Sequence, residues 1–487
     1  MALDNNKNTD FKFIGTRPDR PDGQDKVTGR ALFGADSYAP GMLHGAIIRS
    51  PHAHARILSI DTSKAEALEG VKAIVTRADF ADGLSGEFGF VLENVMAGEK
   101  ALYDGHAVAA VAASSALIAR DAAKLVKVNY EILPHVTDVD AAMAEDAPIL
   151  NDTYADSSVP SGLHPNVVRF HESGHGDVET GFSNADLVIE NSFKTEATHQ
   201  GYIEPHACLA TLGSDGKGEL WCTTQGHWIA QKTCAALVGI DTSQLRVTAS
   251  EIGGGFGGKT TVFVEPVALA LSRKASRPVK IVMNRSEVFR ATGPTSSTSM
   301  DVKIGMMKDG TITAAQGVFR LQGGAFPGAP MEFSAMCAFA PYNLENVKQV
   351  GYDVIANRPK QAAYRAPGAP MASFAVESVI DELCNKLGLD PIEVRLKNAS
   401  REGTKASYGP RFQRIGLVET LEAAKAHPHY TAPLEPGQGR GVSCGFWFNH
   451  GGETAVSLAL SEDGTAQISV GTPDIGGSRA SMALMAA

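Results

Sequence analysis

Cysteine is scarce in this chain and none of it is clustered. The six residues Cys208, Cys222, Cys234, Cys337, Cys384 and Cys444 are spread over 487 positions without a single C-x-x-C. That spacing excludes a disulfide framework, and it excludes an iron–sulfur cluster or a cysteine zinc site built from this chain. Long apolar runs are also missing. No 18-residue apolar stretch occurs, and the start, MALDNNKNTDFKFIG, lacks a cationic segment followed by an apolar one. The sequence therefore predicts neither a membrane span nor a cleaved leader, and it reads as cytoplasmic. Positive charge is in deficit: 44 Lys and Arg stand against 54 Asp and Glu, for a formal net charge of −10. Such a balance argues against nucleic acid or an anionic membrane as the partner, because phosphate binding needs concentrated Lys and Arg. Small molecules and other proteins remain.

What is present is an ordinary globular balance, 43% hydrophobic and 20% charged, at a length that predicts more than one domain. Short β-like runs (GMLHGAIIRS, VKAIV, HAVAAVAA) mix with an alanine-rich helical segment, SALIARDAAKLVKV, in residues 15–140, which predicts a compact α+β unit. Residues 141–165 carry Pro, Ser, Asp and Asn without periodicity and read as a linker. A larger unit is expected over 166–430. After the Pro/Gly-rich HPHYTAPLEPGQGRG, a further region, 438–487, has barely begun when the sequence stops.

Two motifs invite the wrong chemistry. Gly253-Gly254-Gly255-Phe256-Gly257-Gly258-Lys259-Thr260 satisfies the phosphate-loop pattern G-x-x-x-x-G-K-[ST]. ELWCTTQ and QLRVTASEI read as strands around a helix, WIAQKTCAALVG, and TVFVEPVALALSRKA reads as a helix after the loop. No later apolar strand ends in the acid that would hold magnesium, so the ATPase reading fails on context. His171-Glu172-Ser173-Gly174-His175 imitates H-E-x-x-H, but Gly174 and the following Gly176-Asp177 rule out the helix that zinc binding needs, and these histidines read as solvated loop residues. Glycines around one phenylalanine instead suit an anionic group approached by unobstructed backbone N–H groups.

EIGGGFGGK together with AAYRAPGAPMASFAVESVIDELCNKLGLDPIEVRLKN resembles the molybdenum-cofactor subunit of the xanthine oxidase family, the molybdenum hydroxylases. DKVTGRALFGAD, RSPHAHARILSID, YIEPHACLA and TTQGHW match further pieces in the family's order. The resemblance implies an α+β fold: an N-terminal α/β-hammerhead domain, then a molybdenum-binding domain whose final subdomain is incomplete here. It implies an oxidoreductase that hydroxylates an electron-poor carbon with oxygen from water. The implied cofactor is molybdenum-molybdopterin, in its cytosine dinucleotide form, with [2Fe-2S] clusters and FAD carried on partner subunits.

Carried over position by position, the resemblance makes Gln225 the metal-facing glutamine and places Gly255, Phe256, Gly257 and Gly258 in the loop beside the metal ligands. Arg365 of AYRAPG becomes an arginine close to molybdenum. Gln225, Phe256 and Arg365 are thus expected near the metal without ligating it, and Gly476, Gly477 and Ser478 match the first pterin-binding loop of the final subdomain. Thr260 stands where purine-oxidising members carry a glutamate, and Pro367 stands where they stack a phenylalanine on the purine. Ala366 replaces the copper-binding cysteine of carbon monoxide dehydrogenases. These departures point the substrate pocket, with Thr260 and Pro367, toward aldehydes and N-heteroaromatics. The family's catalytic glutamate is not matched, so no catalytic residue is assigned in this chain. The expected partners are an iron–sulfur small subunit, a FAD subunit and a chain or segment supplying the rest of the molybdenum domain. The rival expectation is an inactive scaffold that only binds partner subunits.

Overall fold

Two large sheets organise the chain in the computed structural model, which describes residues 16–17, 19–20, 22–151, 153–448 and 455–476. The first has seven strands in the order Leu245–Ala249, Gly218–Cys222, Ala207–Leu212, Val279–Val282, Leu43–Arg49, Ala107–Ala113, Val71–Val75. Its middle strand from the N-terminal region, AVAAVAA, is buried at every position. That is possible because both faces are covered, and small side chains let the covering helices approach. Ala110 and Ala112 face the helix Glu265–Ala275, whose residues Glu265 to Ser272 are all buried, while Val111 faces the helix Ala116–Leu125.

One seam joins the N-terminal and central regions. Leu43–Arg49 pairs in parallel with Val279–Val282, Leu43 opposite Val279. Residues 15–140 therefore contribute three strands to a sheet that continues into the central region, and only the smaller sheet of Lys100–Ala101, Ala55–Asp61 and Lys127–Ile132 is theirs alone. The segment expected as a linker has no helix or strand after Val139–Met143 until Val167, yet it is packed. Leu150 is buried with Val136, Val167 and Ile355, and Tyr154, Val159 and Leu163 lean on the same cluster. Asn166 Oδ1 accepts the Leu150 N–H at 3.0 Å. Apolar residues at irregular intervals carry no periodic signal, which is why the sequence reads as a linker where the fold has a strap.

The second sheet runs Val167–His175, Val347–Ile355, Ile312–Gly324, Thr298–Met306, Leu187–Thr195. The hairpin expected at Lys308-Asp309-Gly310 is there, with Gly310 at φ 86°. The helix Ala369–Leu387 buries Val376, Val379, Ile380 and Leu383 against this sheet and stops at Gly388 in the left-handed conformation. The histidines of HESGH are corrected here: they lie on the strand Val167–His175, paired with Val347–Ile355, and not in a loop. Four residues of strand separate their Cα atoms by about 13 Å, too far to share one metal. His175 Nε2 is spent on the Leu344 carbonyl at 2.8 Å. Among the described residues no cluster of His, Cys, Asp and Glu has a metal-holding arrangement, and no helix is long and apolar enough to cross a membrane.

Glu377 ties the C-terminal part to this layer. It lies buried on the helix Ala369–Leu387 and accepts from Arg395 Nε and from the Cys444 N–H, both at 2.8 Å, and from the Tyr342 hydroxyl. Beyond it, Val456–Leu460 and Ala466–Val470 form a hairpin exposed on both faces.

His106 makes the fold acid-sensitive. It is fully buried, its Nε2 donates to the Glu93 carbonyl at 2.6 Å, and its Nδ1 accepts the Leu102 N–H at 3.1 Å. Burial pushes its pKa down to about 4, since protonation would also cost the Leu102 bond. The unfolded chain binds the proton first as pH falls below about 6.5, so stability drops as pH falls toward the folded value. From pH 7 to 5 this one group should cost about 2 kcal/mol. Urea midpoints measured across that range should fall in the wild type and fall less in His106→Asn.

Candidate functional site

Gln225 and the glycine loop meet because of a single βαβ unit. Gly218–Cys222 and Leu245–Ala249 are adjacent parallel strands, Cys222 opposite Ala249, with the helix His227–Val238 as the crossover. Gln225 leaves the C-terminal end of one strand and Gly253–Lys259 follows that of the other. Loops at the carboxyl ends of neighbouring parallel strands are where α/β folds build ligand sites.

The loop does not open a helix as a phosphate loop would. The next helix starts at Glu265, whose carboxylate receives the N–H groups of Phe263 and Val264 at 2.8 and 3.0 Å, with Pro266 in its first turn. Lys259 points inward. Its ammonium is fully buried, 2.7 Å from Glu204 Oε2 and over the Tyr202 ring at 4.9 Å. Burial lowers its pKa and Glu204 opposes that shift. A lysine in this position is structural, and neither ATP nor a pterin would meet its charge.

The loop's own N–H groups sort into two sets. Gly253 donates to Glu204 Oε2 at 2.8 Å, and Gly257 and Lys259 donate to Gln225 Oε1 at 2.9 and 3.1 Å. Gly258 and Thr260 donate to the Gly255 and Gly257 carbonyls. Among the described residues Gly254, Gly255 and Phe256 have no acceptor for their N–H groups. So the expectation of a wholly open N–H surface holds for three consecutive groups, while Gly257 and Gly258 turn inward. With its oxygen engaged by two donors, Gln225 has its NH₂ as the free end of the amide.

Arg365 joins the same place from the second sheet. Its N–H donates to the Phe256 carbonyl at 2.9 Å. Phe256, Arg365 and Ala366 have φ of 53°, 37° and 60°, three of the four positive values at non-glycine residues among the described residues. Strain of this kind persists where surrounding contacts over-determine it, and it concentrates at functional sites. The Arg365 side chain is exposed and makes no ion pair among the described residues. A pairing with Glu377 does not occur, because that carboxylate holds Arg395.

Glycines in the loop are required by neighbouring protein. A Cβ on Gly257, at φ 103°, would lie 2.6 Å from the Ala363 carbonyl oxygen, and one on Gly255 would lie 2.5 Å from Gln225 Oε1. Gln200, buried and unassigned by the sequence reading, donates its amide to the Ala363 carbonyl at 2.9 Å and would meet a Cβ on Gly258. Tyr202 and Glu204 were legible only as part of the family-like piece YIEPHACLA, and Gln200 just before it carried no signal of its own. Gly476 is exposed, and its segment lies against the rest through Asp474 on Arg20 and Gly471 on Trp228. Gly477 and Ser478 lie outside the described residues.

Beside the loops is a cavity of about 470 Å³, lined by Thr260, Ala363, Phe88, Lys232, Lys360 and Phe263 among others. Thr260 turns its hydroxyl to the Gly257 carbonyl at 2.8 Å. Pro367 is half-buried and does not line the cavity. The donor set fits an oxo-metal centre with an anionic pterin: loop N–H groups without an acceptor among the described residues, a neutral amide NH₂ and an arginine tied to the loop through its backbone.

Residues 28–134 match the model for the a/b hammerhead domain of aldehyde oxidase and xanthine dehydrogenase, and residues 160–399 match that for the molybdopterin cofactor-binding domain. The chain is 31% identical over 494 residues to the xanthine dehydrogenase molybdenum-binding subunit of Escherichia coli O157:H7, covering 94% of this chain and 63% of that one. It is 30% identical over 423 residues to the nicotinate dehydrogenase large molybdopterin subunit of Eubacterium barkeri, covering 85% and 96%. The aldehyde oxidoreductase structure from Desulfovibrio gigas superposes with a TM-score of 0.83 at 29% identity, over 93% of this chain and 52% of that one. The chain thus spans between half and two thirds of the length of the E. coli and D. gigas proteins.

Two substitutions separate the loop's structural demands from ligand binding. Gly257→Val should push the Ala363–Arg365 segment away, lowering stability by about 2–3 kcal/mol and speeding trypsin cleavage after Arg365 in the purified chain. Lys259→Met should cost about 3–5 kcal/mol by stranding Glu204, with Glu204→Gln in the same chain recovering part of it. A denaturant titration reads both, and no ATP turnover should appear in any of these proteins.

Proposed function

The chain belongs to the molybdenum-binding large subunits of the xanthine dehydrogenase and aldehyde oxidase family, and from that premise we propose that it holds one side of the molybdenum cofactor in an oxidoreductase. The substrate is an aldehyde or an N-heteroaromatic compound oxidised at an electron-poor carbon, with water as the oxygen source. The observation that carries this reading is the meeting of Gln225, Phe256 and Arg365. An amide oriented by two backbone donors, three N–H groups without an acceptor among the described residues, and an arginine hooked to the loop through its own N–H stand together.

Bound against these loops, the cofactor supplies two-electron oxidation and transfer of a water-derived oxygen. The chain's residues supply the setting. Gln225 presents its NH₂ without needing to reorganise, because its oxygen is already fixed, and a donor held in place stabilises developing negative charge far better than a mobile one. Gly254, Gly255 and Phe256 offer N–H groups to an anionic ligand, and Arg365, tied to the loop through its backbone, supplies positive charge. Glu204 does not act as the base, since it is spent on Lys259, Gly253 and the Gly34 N–H. By the family likeness the base is a glutamate that is not matched in this chain, and Gly476, Gly477 and Ser478 correspond to the family's first pterin loop of the final subdomain.

The finer assignments rest on the family likeness: the cytosine dinucleotide form of the cofactor, [2Fe-2S] clusters and FAD on partner subunits, and a cytoplasmic assembly. Thr260 at the cavity, in place of a carboxylate, supports aldehydes or N-heteroaromatics over purines.

The assembled enzyme should contain molybdenum in proportion to this chain, measured by elemental analysis. Gln225→Ala in that assembly should keep the metal and pterin but slow reduction by an aldehyde by about 10²-fold, the cost of losing one preorganised donor. An assembly without molybdenum, which is the outcome an inactive scaffold requires, or a Gln225→Ala enzyme reduced at the wild-type rate, would sink the reading.

A further inference from the structure

The cavity beside the loops carries charge that the oxidation of a neutral aldehyde does not use. Lys360 lines it, and its ammonium has a single acceptor among the described residues, the Pro327 carbonyl at 2.9 Å. Among the described residues no carboxylate lies within ion-pair distance of it. Asp353, buried beneath the 327–329 turn, accepts the N–H groups of Gly328 and Ala329 on Oδ2 at 2.7 and 3.1 Å and acts on Lys360 only through its charge. Burial lowers the Lys360 pKa against the opposing charges of Asp353 and Glu87. Lys232 is exposed at the same cavity, its ammonium 5.8 Å from the centre of the Phe88 ring. The one lining carboxylate, Glu87, is exposed on the helix Gly86–Val95 and pairs with neither lysine. Two lysines against one carboxylate leave the lining net positive.

We propose that this cavity takes a small organic carboxylate, its anionic group on the Lys360 ammonium and its apolar body against Phe88, with Lys232 drawing the anion in. The assignment deepens the functional reading above and rests on it, because it names the substrate class of that same site. Length supports it. Lys360 and Ala363 are three residues apart, so their Cα atoms are at most about 11 Å apart, and Ala363 is the residue packed on Gly257 of the metal-side loop. A monocyclic aromatic acid spans that interval, with its carboxylate at one end and a ring carbon at the other. The cavity of about 470 Å³ lies within the range of small-molecule sites.

Benzoate and benzamide, alike in shape and different in charge, test the inference by calorimetric titration of the complete enzyme. Benzoate should bind tighter than benzamide, and the preference should weaken as salt rises. Lys360→Met should reduce the benzoate-to-benzamide affinity ratio by about tenfold or more, as expected for a lost charge-assisted hydrogen bond, and Lys360→Arg should largely keep it. Lys232→Met, at an exposed position, should slow benzoate association and flatten its salt dependence, which keeps the test sound if Lys360→Met fails to fold. Equal binding of the two probes by the wild type, or an unchanged ratio in Lys360→Met, overturns the proposal. Molybdenum content and reduction by a neutral aldehyde report on the functional reading separately. A loaded, reducible enzyme blind to benzoate's charge loses only the carboxylate inference, whereas an assembly without molybdenum loses the reading beneath it.

Discussion

The buried pair of Glu204 and Lys259 is the constraint on which the site depends. An unpaired carboxylate or ammonium at that depth is costly, so each fixes the other. Glu204 also receives the N–H groups of Gly253 and Gly34, which joins the start of the glycine loop to the N-terminal region. With Lys259 drawn inward at one end and Gly253 held at the other, the residues between them are forced to bulge. Gln225 Oε1 then takes two N–H groups of the bulge, and the N–H groups of Gly254 to Phe256 are left without an acceptor among the described residues. A lysine that looks like the business end of a phosphate loop is the anchor that makes an entirely different loop.

Strain and support are matched around this bulge. Phe256, Arg365 and Ala366 occupy a backbone region that costs a non-glycine residue about 1–3 kcal/mol, and they are tied by the Arg365 N–H to the Phe256 carbonyl. Gln200 clamps the Ala363 carbonyl from below, and Gly257 lets the two loops touch. The two loops come from different sheets, one from the seven-stranded sheet and one from the segment after Val347–Ile355.

Motif context served well where periodicity was strong. The helices Glu265–Ala275 and Ala369–Leu387, the crossover His227–Val238 with its left-handed Gly239, and the hairpin at Gly310 were all legible, because repeated apolar positions and glycine stops act locally. Periodicity failed where pairing partners lie far away. HESGH reads as a loop because glycine and charge interrupt it, yet Val347–Ile355 supplies hydrogen bonds that make it a strand. The strap at 144–166 fails for the same reason, its apolar residues being spaced for a neighbouring cluster and not for a helix or strand of its own.

The amino-acid sequence by itself determined the chemistry on offer: a glycine-rich loop with one phenylalanine, a glutamine after a strand, an arginine in a small-residue loop, and no cysteine set for metal. It also determined the family, since those pieces occur together and in order. Only the tertiary structure decided which groups face the site. Side-chain direction at Gln225 and Lys259 follows from partners more than 30 residues away, at Gly257 and Glu204. The close approach of Gly257 to Ala363 is a contact between two sheets. Lys360 acquires meaning for the same reason, because a lone lysine in RPKQAAYR carries no signal until the fold places it in the lining of a cavity with no ion pair among the described residues.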